Sequence, residues 1–201
     1  MGSMKYIKRP KREKDVHVAL EISAELFSSE LGKQLGLPIN EVELVDLGNE
    51  GFALSMDHLD ELKEQDIKNY FDLGKTLPFE EFLLNVDLKR EHVMMRDGKG
   101  YIIDHGHALD AWKPLYYVEQ IIQSPVTRFD LWATDDALKE GVEIIKTIEI
   151  EEVTRTLRKS MESVLDAKIC AVFNKQALED HLSISKKILK HRKMIVPRFY
   201  G

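Results

Sequence analysis

Two acids, Asp87 and Asp104, stand at the ends of "NVDLKREHVMMRDGKGYIIDHGHAL", residues 85–109, with two short apolar runs and an Asp97-Gly98 step between them. The runs 92–95 and 101–103 read as strands, and Asp-Gly between such runs is a strong signal for a tight hairpin turn. A tight hairpin returns the chain to where it started, so both carboxylates are expected at the same end of one small sheet. Paired carboxylates held there suit Mg²⁺ and phosphate chemistry, because a hard cation takes oxygen ligands and shares them with substrate phosphates. The bland alternative is a pair of solvated turn acids, since Asp is common in turns.

The elements that must position this pair are legible in outline. Residues 5–8 form a short strand candidate, followed by the basic, turn-like stretch 9–14. Between 15 and 35, Leu20, Ala24, Phe27, Leu31 and Leu35 recur at steps of four, three, four and four, which is one face of an amphipathic helix. Gly36 and Pro38 stop it. Residues 41–47 and 52–56 read as strands, and the break at 48–51, Gly-Asn-Glu-Gly, is the candidate hinge. Residues 57–77 are polar and helix-compatible, and Pro78 opens a short helix over 78–84. From 136 to 191 the pattern is helical in at least three segments.

Composition limits what this assembly can do. The 201 residues are 43% hydrophobic, enough for a filled core. Acids outnumber bases 35 to 29, and the net charge of −6 gives no general attraction to nucleic acid or to an anionic membrane face. No apolar run approaches the ~18 residues of a membrane span, and no signal-peptide pattern is present. Cys170, the one cysteine, excludes an internal disulfide framework and fits a reducing cytoplasm. Met1, Gly2 and Ser3 read as an expression scar and are set aside. Trp112, Trp132, Tyr116 and Tyr117 lack interleaved basic residues, so core packing is expected of them, and no base-stacking platform.

Several phrases carry a family resemblance. Asp87-Leu88-Lys89-Arg90-Glu91-His92 resembles the catalytic loop of the protein-kinase fold, and Asp104-His105-Gly106 resembles the metal-binding turn that follows it. Asn85-Val86-Asp87 together with residues 103–109, Ile-Asp-His-Gly-His-Ala-Leu, is similar to the HipA-like kinases and more distantly to the type II phosphatidylinositol 4-kinases. Upstream, Tyr6-Ile7-Lys8 resembles the strand with the nucleotide-binding lysine, and Leu35-Gly36-Leu37-Pro38 resembles the phrase closing the next helix. Residues 184–192 resemble the final helix. The resemblance spans most of the chain from Lys5 onward.

It implies an α+β, reduced protein-kinase-like fold of two lobes: residues 5–56 as a small sheet with one helix, and 57–201 as a mainly helical lobe. It implies ATP and Mg²⁺ as cofactors. Lys8 would contact the phosphates and be held by Glu21, which lies at the edge of the helix's apolar stripe. Asp87 would orient the acceptor hydroxyl and take its proton, Lys89 would balance the charge of the moving phosphoryl group, and Asp104 would hold the metal. The implied acceptor is a Ser or Thr hydroxyl of a protein; a small molecule or lipid is the further choice, and a non-catalytic nucleotide-binding module the other reading.

The chain departs from the pattern twice. The family's metal-ligating Asn is His92 here, either a bystander or a ligand that would favour Mn²⁺ over Mg²⁺. The two strands and glycine-rich loop that normally precede the lysine strand are also missing. The basic stretch 9–14, a partner chain or a further segment would then have to cover the phosphates.

Overall fold

The computed structural model describes residues 4–201, so the expression scar assigned to Met1, Gly2 and Ser3 lies outside the described residues. The fold is α+β, with two small antiparallel sheets and a helical remainder. Strands β1 (Lys5–Lys8), β2 (Val42–Asp46) and β3 (Phe52–Asp57) form one sheet in the order β1-β3-β2, with Lys8 opposite Leu54. Helix α1 (Val16–Gln34) runs where the apolar spacing puts it, and the Asp15 side chain caps its first turn by accepting from the His17 N–H at 2.9 Å. It is buried well beyond one stripe: Val18, Ala19, Leu20, Ile22, Ser23 and Ala24 are all inaccessible.

The expected hinge at 48–51 is corrected by the sheet register. Val42 pairs with Met56 and Asp46 with Phe52, so 48–51 is the tip of the β2–β3 hairpin. A glycine-rich break between two half-apolar runs serves a hairpin turn as well as a linker, and the sequence pattern does not separate the two. The chain leaves the sheet after β3, where Asp60 exchanges backbone hydrogen bonds with Met95 at 2.8 and 2.9 Å.

Helix α2 (Tyr70–Phe82) corrects the helix expected at 78–84, because it starts eight residues earlier and carries Pro78 inside it. Proline removes one helical hydrogen bond and crowds the preceding turn. Burial of Leu73, Leu77, Phe79 and Phe82 carries the helix through it. Residues 83–92 then lead into β4 (Val93–Arg96) and β5 (Lys99–Ile102), paired from Val93↔Ile102 to Arg96↔Lys99. Asp97 and Gly98 both have positive φ, 53° and 78°, the turn geometry that matches strand twist. Helices α3 (Leu115–Ile121), α4 (Asp135–Thr147), α5 (Ile150–Asp166) and α6 (Lys175–Ile195) complete the chain. α1 packs on α5 and α2 on α4, and one apolar cluster runs from Val18 to Leu189. Among the described residues no helix is long and apolar enough to cross a membrane.

Of the aromatic residues expected in the core, Trp132 packs edge-on against Tyr70 and Phe129. Tyr116 corrects that expectation: it is 67% exposed on α3, where a seven-residue helix buries only Val118.

Candidate functional site

Lys8 ends β1 with its ammonium bonded to Glu25 Oε1 at 2.7 Å and to Asp104 Oδ1 at 2.9 Å. Strand β1, helix α1 and the turn after β5 therefore meet at one side chain. Burial works against the charge on Lys8, but the two carboxylates outweigh it and hold its pKa above that of an ordinary lysine. An ammonium has three donors, and two of them are used here. Glu25 is inaccessible; burial pushes its pKa up, against the pull of Lys8 and His105. Burial likewise opposes ionisation of Asp104, yet the charge and hydrogen bond of Lys8, with the charge of His92, hold it down to about 2. Asp104 is thus a carboxylate at neutral pH. Its φ of 66° is unusual for a residue with a side chain, and such outliers persist only where the surroundings fix them.

Glu21, expected to hold Lys8, does not do so. Its carboxylate accepts from Trp112 Nε1 at 2.7 Å and pairs with Lys11 at 3.2 Å. Glu25 lies one helical turn further on the same face, and periodicity fixes a face without fixing the turn. Gly106 explains the fit of the turn against α1: a Cβ there would lie 2.6 Å from Glu21 Cγ.

The hairpin brings Asp87 and Asp104 together. His92 Nε2 lies 3.6 Å from Asp104 Oδ2 and 4.0 Å from Asp87 Oδ2. Burial, ahead of the neighbouring charges, lowers the His92 pKa, so its imidazole is neutral at neutral pH. Among the described residues its buried Nδ1 has no partner, whereas a ligating histidine normally donates its second N–H to an acceptor that orients it. Lys89 reaches Asp87 at 3.2 and 3.3 Å, and the Asp87 side chain is about one-third exposed. Among the described residues no three His, Cys, Asp or Glu groups converge on a metal position. A cation here would depend on ligands brought by a substrate, which is how Mg²⁺ is commonly held.

Beside this cluster is a cavity of about 310 Å³ walled by Tyr6, Met56, Leu59, Met94 and Ile103, with Asn40, Asp57 and His58 completing its lining. Tyr6 shares a face of β1 with Lys8, and Ile103 directly precedes Asp104, so two residues of the cavity wall neighbour the charged cluster along the chain. The basic stretch 9–14 lines a groove against residues 167–171; Arg9 pairs with Glu50, and Lys11 sits 4.5 Å over the Trp112 ring.

Sequence reasoning missed Glu25, Glu80 and Lys113. Glu80 is fully buried on α2 between His105 and Asn85. Lys113, nearly inaccessible, donates to the carbonyls of His107 and Ala111, and burial pushes its pKa down to about 8 against the charges of Asp110 and Asp87. No local signal marks these residues: α1 and α2 carry other charged residues beside Glu25 and Glu80, and a charge is buried where it finds a partner distant in sequence.

No protein-family model matches the chain, and no curated protein matches it. Among solved structures, it is similar to the N-terminal 618-residue fragment of LepB from Legionella pneumophila, with a TM-score of 0.59 and 13% identity. The match covers 98% of this chain and 45% of that fragment, so the chain spans less than half of its neighbour. At that identity the likeness is one of fold.

Proposed function

We propose that the protein is an ATP-dependent phosphotransferase of the HipA-like kinase type, acting on a Ser or Thr hydroxyl of a protein. The observation that carries this reading is the Lys8 ammonium shared between Glu25 of α1 and Asp104 beyond the hairpin. On this reading residues 5–56 are a reduced nucleotide-binding lobe and 57–201 the helical lobe. The apolar cavity beside Tyr6 and Ile103 takes the base, at the lower end of the usual size range for ligand sites. The third donor of Lys8 is directed to phosphate oxygen.

Phosphoryl transfer asks little covalent help from protein; it asks for alignment and charge neutralisation. Mg²⁺, when bound, supplies neutralisation of the phosphates, and the ionised Asp104 is the side chain suited to hold it. His92 faces the same space but lacks an acceptor behind Nδ1, so it is the weaker ligand. Asp87, partly exposed, orients the acceptor hydroxyl and takes its proton. Lys89, already within 3.2 Å of Asp87, offsets charge on the transferred group.

A non-catalytic nucleotide-binding module is the second reading. His92, standing where the family has asparagine and lacking a partner for Nδ1, favours it. Both readings require nucleotide binding. Calorimetric titration with ATP should show binding that depends on Mg²⁺ or Mn²⁺, and Asp104→Ala should weaken it about 10- to 100-fold, the size of one or two charge-assisted contacts. Unchanged affinity in that variant would remove Asp104 from the metal-phosphate site.

A further inference from the structure

Glu80 lies at the centre of an unbroken hydrogen-bonded chain. Its Oε1 meets His105 Nε2 at 2.8 Å, and its Oε2 accepts from Asn85 Nδ2 at 2.7 Å. Asn85 Oδ1 in turn accepts the Asp87 backbone N–H at 3.3 Å. On the other side the His105 backbone N–H donates to Glu25 Oε2 at 3.0 Å, and Glu25 Oε1 takes the Lys8 ammonium. Glu80 and Asn85 have no exposed surface and His105 almost none, so water does not substitute for the bonds that Glu80 makes to these two. The loop of Asp87 and the turn of Asp104 are separate in sequence and are both tied to one carboxylate.

We infer that Glu80 is a positioning residue which, through Asn85 and His105, sets the placement of Asp87 relative to Asp104. Two features make this more than a buried polar contact. Asp104 sits in a left-handed conformation, which its surroundings must enforce, and the next residue is anchored both by its backbone and by its ring. The polarity of the chain is also fixed by Glu80, whose two carboxyl oxygens face one neighbour each. Glutamine in its place presents one acceptor and one donor. Either His105 must then turn an acceptor towards it, or Asn85 must flip and present Nδ2 to the Asp87 N–H, which loses its acceptor. A conservative change at Glu80 therefore disturbs one of the two links without removing volume.

The placement itself is read by amide NMR of the full chain, independently of any reaction. Glu80→Gln should shift the backbone amide resonance of Asp87 or of His105, according to which of the two links gives way. Asn85→Ala should shift Asp87 and leave His105 in place, since Glu80 still holds the ring. A folded Glu80→Gln with both amides unmoved overturns the inference, and so does an unmoved Asp87 amide in Asn85→Ala, which decides the matter if Glu80→Gln does not fold. The kinetic consequence rests on the phosphotransferase reading. Asn85→Ala should lower kcat about 10- to 100-fold, as a misplaced catalytic group does, and leave KM for ATP within about threefold, a residual uncoupled from the Lys8 side. Equal changes in kcat and KM would contradict a positioning role at Asp87. A wild-type protein that neither binds nor uses ATP would sink the phosphotransferase reading, and the amide shifts would still decide the role of Glu80.

Discussion

Asp87→Ala is expected to reduce γ-phosphate transfer about 10²- to 10⁴-fold, the range over which a positioned general base contributes, while leaving metal-dependent ATP affinity close to that of the wild type. The asymmetry follows from geometry. Asp104 is bonded to Lys8, the group assigned to the phosphates, and acts in the ground state. The Asp87 carboxylate approaches that cluster across His92, and its own close partner is Lys89. On the phosphotransferase reading its work comes when the acceptor oxygen attacks, and an interaction made only then changes the rate without changing binding. Single-turnover transfer from γ-labelled ATP, beside calorimetry on the same variant, separates the two quantities. Loss of affinity equal to the loss of rate would contradict the division of roles; no transfer in the wild type, with ATP still bound, would favour the non-catalytic reading.

Arg192→Met should destabilise the fold by about 3–5 kcal/mol, the cost of leaving a buried charge without its partner. Arg192 of α6 and Glu81 of α2 are both fully inaccessible and are joined at 2.6 Å. Arg192 also donates to the carbonyls of Glu81, Ile122 and Ser124 at 2.7 to 2.9 Å. Glu81 accepts from the backbone of Val126 and Thr127, so one pair fastens α2, α6 and the 122–127 loop. Removing only the arginine strands the carboxylate. At about 2–4 °C per kcal/mol for a chain of this size, Tm should fall by about 6–20 °C. The double variant with Glu81→Gln should recover part of the loss, because it removes the stranded charge. Denaturant unfolding of the three proteins checks this; a single variant within about 0.5 kcal/mol of wild type would show that the pair is not buried as described.

The hairpin was the most legible part of the site. Alternating strands and an Asp-Gly turn fix register locally, so the shared end of Asp87 and Asp104 followed from spacing alone, and one imidazole nitrogen indeed lies within 4.0 Å of both. Helix α1 was legible as a helix and misread at one position. Its burial nearly all round leaves no single stripe edge on which to place a cleft-facing acid, and Glu21 and Glu25 differ by one turn on one face. The break at 48–51 carried too little information to distinguish a hairpin tip from a linker. Glu80 with His105, and Glu81 with Arg192, were invisible for another reason: their partners are 25 and 111 residues away, and nothing in a local pattern marks a glutamate as buried. Pro78 shows tertiary packing overriding a local rule, since the apolar face of α2 continues through a residue that locally argues for a helix start.

The central claim is that nucleotide phosphates are held at the Lys8, Glu25 and Asp104 cluster, with the base in the neighbouring cavity. A crystal structure with Mg²⁺ and a non-hydrolysable ATP analogue tests it most directly. The expected result is a base against Tyr6 and Ile103, phosphate oxygen on Lys8, and the metal on Asp104. An analogue bound elsewhere, with the Lys8 ammonium still closed on Glu25 and Asp104, would contradict the account.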